Sequence, residues 1–394
     1  MAIIGVWMWP GSVREQGAEA VVSRCRRIGV TDIYFLTKGL NGKVSCRSAI
    51  APMDCERDLL AELLSAAHAC GIRVHAWFTS ASDAHYRNLH PESGRYHYVK
   101  GRNQGLISLA DEGYLTYMTD IIRELCRAYP IDGLHLDYIR YNHLIYGWSE
   151  DDLARYAADG ADIAHLKAMM DRAFPGEEGP EIFFDAYRAG DASVRALARA
   201  RRRDVMRFAL TLTAAARAEK PDVILSAALM PEGAYDDIAF ADVHYGQNYE
   251  DAAGLYDYVL PMAYSKAYGK DGAWVRQVAE GTAKRGLHTV MGLHAYEGGT
   301  GETLREDIAA LTGAPIEGIC LFREGAFVMA FAGDQSLQVF NPLDVPLTAL
   351  ADGDSPIALD SPILPGEERT LPCPHVPDRL RAFTDAAEVC IHLT

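Results

Sequence analysis

Hydrophobic positions along the chain follow two alternating patterns. Short runs rich in branched and aromatic residues indicate strands, whereas longer segments with apolar residues three and four positions apart indicate helices. Strands are predicted at Ile3–Trp9, Asp32–Thr37, Arg73–Thr79, Gly133–Tyr141, Val223–Met230, Tyr258–Tyr264, His288–Tyr296 and Gly318–Phe322. Helices are predicted at Gly17–Ile28, Cys55–Cys70, Glu112–Ala128, Ala192–Glu219, Trp274–Arg285 and Thr303–Leu311. Strands that alternate with helices predict a parallel sheet, either closed into a barrel or doubly wound.

The barrel is the better of these two folds. Neither GxGxxG nor GxxxxGK follows the first strand, and doubly wound nucleotide-binding sheets usually carry such a phosphate-binding motif there. We therefore predict a (β/α)8 TIM barrel over residues 1–328, with its site at the carboxyl ends of the strands. From about Met329 the helical spacing stops, and short alternating runs predict a small β-rich C-terminal domain over residues 329–394.

Two long segments interrupt the alternation of strands and helices. Residues 80–111 follow the third strand and are rich in His, Tyr, Asn and Arg, and residues 142–190 follow the fourth strand and contain short helical patterns. Because both segments leave the carboxyl ends of strands, they are expected on the face of the barrel where loops build active sites.

The composition of the chain disfavours some classes of binding partner. The formal net charge is -16, from 38 Lys and Arg against 54 Asp and Glu, and a negative field repels nucleic acids and anionic lipid surfaces. The eight cysteines form no CxxC pair, which predicts a reducing compartment and no structural zinc. No export leader and no apolar run of membrane-spanning length stands in the sequence, which favours a cytoplasmic protein. The sequence does not determine the oligomeric state.

The fourth predicted strand is the most informative segment, reading IDGLHLDYIRY over residues 131–141. Strand alternation places Leu134, Leu136 and Tyr138 on one face, and His135 and Asp137 on the other. If the leucines pack under the helices, His135 and Asp137 point into the barrel. Asp137 then lies near the carboxyl end of the strand, where barrel enzymes keep catalytic groups.

A buried carboxylate at this position needs a charge partner, a metal or a function. One interpretation of Asp137 is an ion pair with Arg140 that only ties the strand to its loop. The other is catalysis, which we favour. Glycosidic cleavage usually needs two carboxyl groups that flank the bond. Glu232, which shares strand parity with the small residues Ser226 and Ala228 of the fifth strand, is the candidate partner, although it could equally be a solvated loop residue.

Further strand residues are candidates for substrate binding. His75 and Trp77 share the face of the third strand that is predicted to line the interior, and Trp7 or Trp9 on the first strand could also stack against a sugar ring. A lone Trp is nonetheless more often part of a core. The remaining candidates end strands, where an ordinary loop contact is at least as common: Arg140, Tyr141, Tyr264, His294 and Tyr296. Glu297 and Glu324 are weaker alternatives for the second carboxyl.

Four sequence motifs resemble those of a known family. HAWF at 75–78, DGLHLDYIRY at 132–141, RRDVMRF at 202–208 and YDYVLPMAY at 256–264 resemble the bacterial glycosyl-hydrolase-like family 10. The resemblance implies a (β/α)8 barrel that acts on bacterial or host glycans, with Asp137 central. The sequence departs from the family pattern at Asn142, where Pro is usual, and at Thr79-Ser80, where Asn-Pro follows HAWF, so the substrate can differ from that of the family.

A remoter similarity is to the family 18 chitinases, whose fourth strand reads DGxDxDxE. The position of their catalytic acid is Ile139 here, which cannot transfer a proton. Two hypotheses therefore stand: a glycoside hydrolase with Asp137 and Glu232 as its carboxyl pair, or a catalytically silent barrel that binds glycans. A metal-dependent hydrolase would need a His-x-His on the first strand, which contains no His, so neither metal nor another cofactor is expected.

Overall fold

Eight parallel strands form the central sheet of the computed structural model, which describes residues 2–174, 176, 178–295 and 299–393. The strands are β1 (Ile3–Met8), β2 (Asp32–Lys38), β3 (Arg73–Thr79), β4 (Gly133–Asp137), β5 (Ile224–Leu229), β6 (Tyr258–Pro261), β7 (Val290–His294) and β8 (Gly318–Phe322). They pair in the order β6-β5-β4-β3-β2-β1-β8-β7. Parallel bridges from Val259 to Thr289 and from Met262 to Gly292 join the two edges. The predicted (β/α)8 barrel is confirmed.

Helices lie between the strands and cover the outside of the barrel. Their bounds are Pro10–Gln16, Ala18–Arg27, Leu59–Ala69, Ala84–Leu89, Glu112–Ala128, Glu150–Ala158, Ile163–Ala173, Glu181–Ala189, Ala192–Glu219, Tyr249–Ala252, Gly272–Lys284 and Gly301–Ala310. Two of them have the predicted bounds, and the helix predicted from Cys55 begins later. Asp58 ends the preceding loop there, because its carboxylate accepts a hydrogen bond from the backbone N–H of Ala61 and caps the helix.

Strand alternation sorts the side chains into two cores, as the sequence predicted. Leu134 and Leu136 of β4 pack outward against the helices, in a core that continues along the whole barrel wall. Trp7, Trp77 and Ala228 belong to a separate cluster inside the barrel. His135 and Asp137 point inward because of the same alternation. The inward side chains of β3, β4 and β5 therefore converge on the barrel axis.

The two insertions are built differently. After β3, the helix Ala84–Leu89 is followed by an antiparallel hairpin of strands Gly94–His97 and Gly101–Ile107. After β4, three helices between residues 150 and 189 pack with the start of Ala192–Glu219 around a hydrophobic core of their own, which contains Trp148 and Phe183. The second insertion is therefore a small helical layer beside the barrel.

The chain after the barrel forms two four-stranded sheets. Their strands are β9 (Val328–Gly333), β10 (Ser336–Phe340), β11 (Ala349–Asp352), β12 (Ser355–Ile357), β13 (Glu368–Pro372), β14 (Leu380–Phe383), β15 (Glu388–Val389) and β16 (Ile391–Leu393), in the orders β13-β10-β9-β16 and β12-β11-β14-β15. The predicted β-rich character is confirmed. Phe331 and Phe340 join the core of the barrel wall, and the guanidinium groups of Arg27 and Arg24 lie 3.4 and 3.9 Å from their ring centroids.

Across the described ranges, no helix is both long enough and apolar enough to cross a membrane.

Candidate active site

A cavity of about 290 Å³ opens at the carboxyl ends of the barrel strands. Six aromatic side chains contribute to its wall, with one carboxylate and one guanidinium that face each other. The lining residues are Trp7, Trp9, Leu36, Leu40, Trp77, Thr79, Asp137, Tyr138, Arg140, Ala228, Met262, Tyr264 and Phe322. Six of the predicted site residues meet there: Trp7, Trp77, Asp137, Arg140, Tyr264 and, named as an alternative platform, Trp9.

Asp137 is the last residue of β4 and is 5% exposed. Its Oδ2 accepts a hydrogen bond of 3.2 Å from the indole Nε1 of Trp77, and its Oδ1 accepts one of 2.6 Å from the backbone N–H of Tyr138. The guanidinium of Arg140 lies 3.4 Å from the same Oδ1. The carboxylate is thus held in one orientation by three donors at the floor of the cavity.

Burial raises the pKa of Asp137, against the lowering by Arg140, the Tyr138 N–H and Trp77. The sequence alone places His75, His135 and Arg140 near Asp137 and no cation next to Glu232, which predicts that Asp137 stays ionised and that Glu232 has the raised pKa. The pKa of Asp137 is nevertheless raised as well as that of Glu232, because neither histidine is among the hydrogen-bond partners of Asp137 and loss of hydration outweighs the one nearby cation. A raised pKa at a cleft carboxyl is typical of catalytic groups.

The backbone turns sharply just after Asp137. Tyr138 has a φ of 58°, in the left-handed region that a bulky residue rarely occupies. The turn ends β4 four residues before the predicted end at Tyr141 and brings the Tyr138 ring into the cavity, where Arg140 lies 4.8 Å from its centroid. Strand parity had placed Tyr138 with the outward leucines. That prediction was wrong because alternation holds only while the backbone stays extended.

Replacing Trp77 by Phe is expected to raise the pKa of Asp137 by roughly one unit, because a hydrogen bond to a charged group contributes about 1.5–3 kcal/mol and 1.36 kcal/mol corresponds to one pKa unit. The bond from Nε1 favours the ionised carboxylate, so its loss favours the protonated form. Carbon-13 NMR of labelled Asp carboxyls measures the shift. Trp7→Phe is the matched control, since the Trp7 indole donates to His135 instead. An equal rise in both variants would contradict the assignment.

Glu232 lies in a 3₁₀ turn, Pro231–Ala234, directly after β5. It is 8% exposed and does not line the cavity. The Tyr268 hydroxyl donates a hydrogen bond of 3.2 Å to its Oε1, and its buried Oε2 has no hydrogen-bond partner. Burial raises the pKa of Glu232 in spite of Tyr268 and the charge of Arg140. The charge of Arg140 thus acts on both candidate carboxyl groups.

The two predicted histidines lie inside the barrel but below the cavity. His75 Nε2 is 2.8 Å from Asp32 Oδ1, and His75 is fully buried. His135 accepts a hydrogen bond of 3.1 Å from Trp7 Nε1, and its Nδ1 is 2.9 Å from Ser226 Oγ. Burial lowers the pKa of His135 far below its usual value, so it is neutral. Neither histidine lines the cavity, where Trp77 and Asp137 lie two residues farther along the same strands.

Three other candidates lie outside the cavity lining. Tyr141 follows the turn after β4, and its hydroxyl donates to Asp204 at 2.8 Å, on the side of the helical layer. Glu324 is fully buried and accepts a hydrogen bond from the Ser12 hydroxyl. His294 is 4% exposed and stacks on Tyr264, with ring centroids 5.3 Å apart. Tyr296 and Glu297 lie outside the described residues.

Sequence reasoning missed several lining residues. Thr79 and Phe322 share strand parity with Trp77 and Cys320, so continuing the alternation to the end of β3 and β8 would have found them. Leu36 and Leu40 gave no such signal, because apolar residues at a strand end fit a core equally well. Among the described residues, no group of three or more His, Cys, Asp or Glu is arranged to hold a metal ion.

Comparison with known proteins identifies the family. The sequence profile described as Glycosyl hydrolase-like 10 matches residues 47–301, a span that contains β3 to β7 and both carboxyl candidates. A search of curated proteins gives no significant match.

Several solved structures share the fold. The glycoside hydrolase domain of PgaB (BpsB) from Bordetella bronchiseptica superposes with a TM-score of 0.65 at 16% identity, over 82% of this chain and 94% of that one. The catalytic domain of β-amylase from Paenibacillus polymyxa gives 0.59 at 11% identity, over 82% and 92%. The α-L-fucosidase isoenzyme 2 from Paenibacillus thiaminolyticus gives 0.58 at 15% identity, over 82% and 46%. At such identities the likeness shows a barrel fold of the kind found in glycosidases.

Proposed function

The chain belongs to the glycosyl hydrolase-like 10 family, and from this membership and the cavity we propose that it hydrolyses a glycosidic bond in a bacterial or host oligosaccharide or polysaccharide. One observation carries the proposal: a buried carboxyl, Asp137, ends β4 at the floor of a cavity to whose walls six aromatic side chains contribute. Aromatic faces suit the C–H face of a sugar ring, and a carboxyl at a strand end is where barrel enzymes place their catalytic groups.

The two carboxyl groups have different tasks in this proposal. Glu232, whose pKa burial raises, is assigned as the acid that gives its proton to the glycosidic oxygen as the bond to the anomeric carbon breaks; because it does not line the cavity, this role requires its carboxyl to reach the bound substrate. Asp137, as the carboxylate, either attacks the anomeric carbon or takes a proton from the water that does. Arg140 at 3.4 Å and the Trp77 indole stabilise the ionised form of Asp137.

A second candidate function is a barrel that binds glycans without cleaving them. One observation favours it: within the described part of the chain, Asp137 is the only carboxyl that lines the cavity, and Glu232 is not among the lining residues. An inactive binder would keep the aromatic walls and would need no second carboxyl.

A screen separates the two functions. The purified protein is incubated with aryl glycosides and with polysaccharides of different linkage, and released aryl alcohol and new reducing ends are measured. In parallel, a glycan array measures binding. Turnover supports the hydrolase, and proton NMR of the first product then shows whether the anomeric configuration is retained or inverted. Binding on the array with no turnover of any bound glycan would favour the silent barrel.

A further inference from the structure

A second, larger cavity adjoins the candidate active site. It has a volume of about 770 Å³ and lies between the start of the first helix, the exit of β8 and the C-terminal sheets. Trp9 and Leu36 line both cavities. The two spaces therefore meet at Trp9, and we call the larger one the C-terminal groove.

The C-terminal groove is built jointly by the barrel and the appended sheets. Arg14 and Arg323 come from the barrel side, and Leu343, Asp344 and Ala387 come from the segments after Phe340 and Phe383. The packing of Phe331 and Phe340 into the barrel core fixes the position of the sheets that form this wall. The groove is thus a built feature of the fold, present without any ligand.

Trp9 marks the junction with an accessible aromatic ring. It is 42% exposed, in contrast to Trp7 at 1%, and the guanidinium of Arg323 lies 3.7 Å from its ring centroid. Arg323 stacked on the indole holds the side chain in place. An exposed aromatic ring that is held in place at a cleft suits stacking by an apolar ligand face.

The volume and charge of the C-terminal groove limit the kinds of ligand that fit it. A site of about 300–1,000 Å³ is usual for a whole small molecule, so the 290 Å³ cavity at Asp137 is at the lower end of that range and the 770 Å³ groove adds room for more. Four carboxylates line the groove against two guanidinium groups: Glu15, Asp54, Asp344 and Glu388 against Arg14 and Arg323. This excess of negative charge disfavours an anionic chain.

We propose that the C-terminal groove binds the continuation of an uncharged oligosaccharide chain, with Trp9 as the platform over which the chain leaves the Asp137 cavity. This inference deepens the proposed function and rests on it for the identity of the ligand class. The C-terminal sheets then determine substrate length, because they supply one wall of the groove, while every lining residue of the Asp137 cavity comes from the barrel.

The test measures binding separately from turnover. Asp137→Asn protein is applied to a glycan array, and neutral oligosaccharides of one to six units are prepared from the retained polysaccharide. Their affinities are measured by calorimetry for Asp137→Asn alone and with Ala387→Arg added, which places a long side chain in the groove. Ala386→Arg is the matched control, since Ala386 is the neighbouring exposed alanine and does not line the groove.

Affinity is expected to rise at least tenfold between two and five units, and Ala387→Arg is expected to remove that rise while Ala386→Arg keeps it. A flat dependence on length, equal loss in the two arginine variants, or no retained glycan of four or more units would each overturn the inference. Turnover of short aryl glycosides needs only the Asp137 cavity. It therefore tests the hydrolase proposal separately, and either result can fail without the other.

Discussion

Replacing Asp137 by Asn is expected to lower turnover by about 100-fold or more while the protein stays folded, which is the range for loss of a general base or nucleophile. The amide has nearly the same shape, and its single oxygen can replace the Oδ1 that accepts from the Tyr138 N–H, while its NH2 group then faces the Trp77 indole and that one hydrogen bond is lost. Burial raises the pKa of Asp137, so the folded protein disfavours its charge, and a neutral amide removes that desolvation cost.

The measurement is the rate on the substrate found by the screen, with thermal unfolding as the check on folding. Asp236→Asn is the control, because Asp236 has an 82% exposed side chain and its ion pair with Lys284 is on the surface. Full activity of Asp137→Asn would show that Asp137 does not take part in the reaction.

Replacing Glu232 by Gln is expected to lower turnover by about 10²- to 10⁴-fold on substrates with a poor leaving group, because a general acid contributes about that factor. A substrate whose leaving group departs without protonation should recover much of the rate in Glu232→Gln and little in Asp137→Asn. Glu250→Gln, at an exposed residue, is the matched control. Recovery in the opposite order would exchange the two roles.

The pH profile follows from the same pKa shifts. Glu232 must be protonated to act as acid, so its raised pKa moves the alkaline limb of the rate profile to higher pH. Asp137 must be ionised, so its raised pKa moves the acidic limb to higher pH as well. Both limbs are thus expected above the pH at which exposed carboxyls titrate, and Glu232→Gln is expected to abolish the alkaline limb. An alkaline limb that survives unchanged would assign it to another group.

Much of the fold could be predicted from the sequence, because it depends on local backbone geometry. The strand period of two and the helical period of 3.6 are properties of the backbone, so eight alternating strands and helices could be assigned without tertiary information. The same period placed His75, Trp77, His135 and Asp137 on the inner face. The long helix Ala192–Glu219 has the predicted bounds, and in the structure the Asp191 carboxylate caps its start by accepting a hydrogen bond from the Val194 N–H.

Other features depend on contacts between distant parts of the chain. Alternation gives the face on which a residue lies but not the side chains that it meets there. In the structure His75 is hydrogen-bonded to Asp32 and His135 to Ser226, whereas Trp77 and Asp137 line the cavity. These contacts depend on the register of neighbouring strands, in which His135 lies beside Trp77, and Asp137 beside Thr79.

The sequence by itself determined the barrel, its inward faces and the central carboxyl, because each depends on the local repeat of the backbone. Only the tertiary structure decided where β4 ends, since the left-handed turn at Tyr138 is set by its surroundings and no residue type there requires it. The same holds for the placement of Glu232 outside the cavity lining and for the C-terminal groove. Both are formed by elements far apart in the chain, and their packing, which no local pattern encodes, positions the side chains.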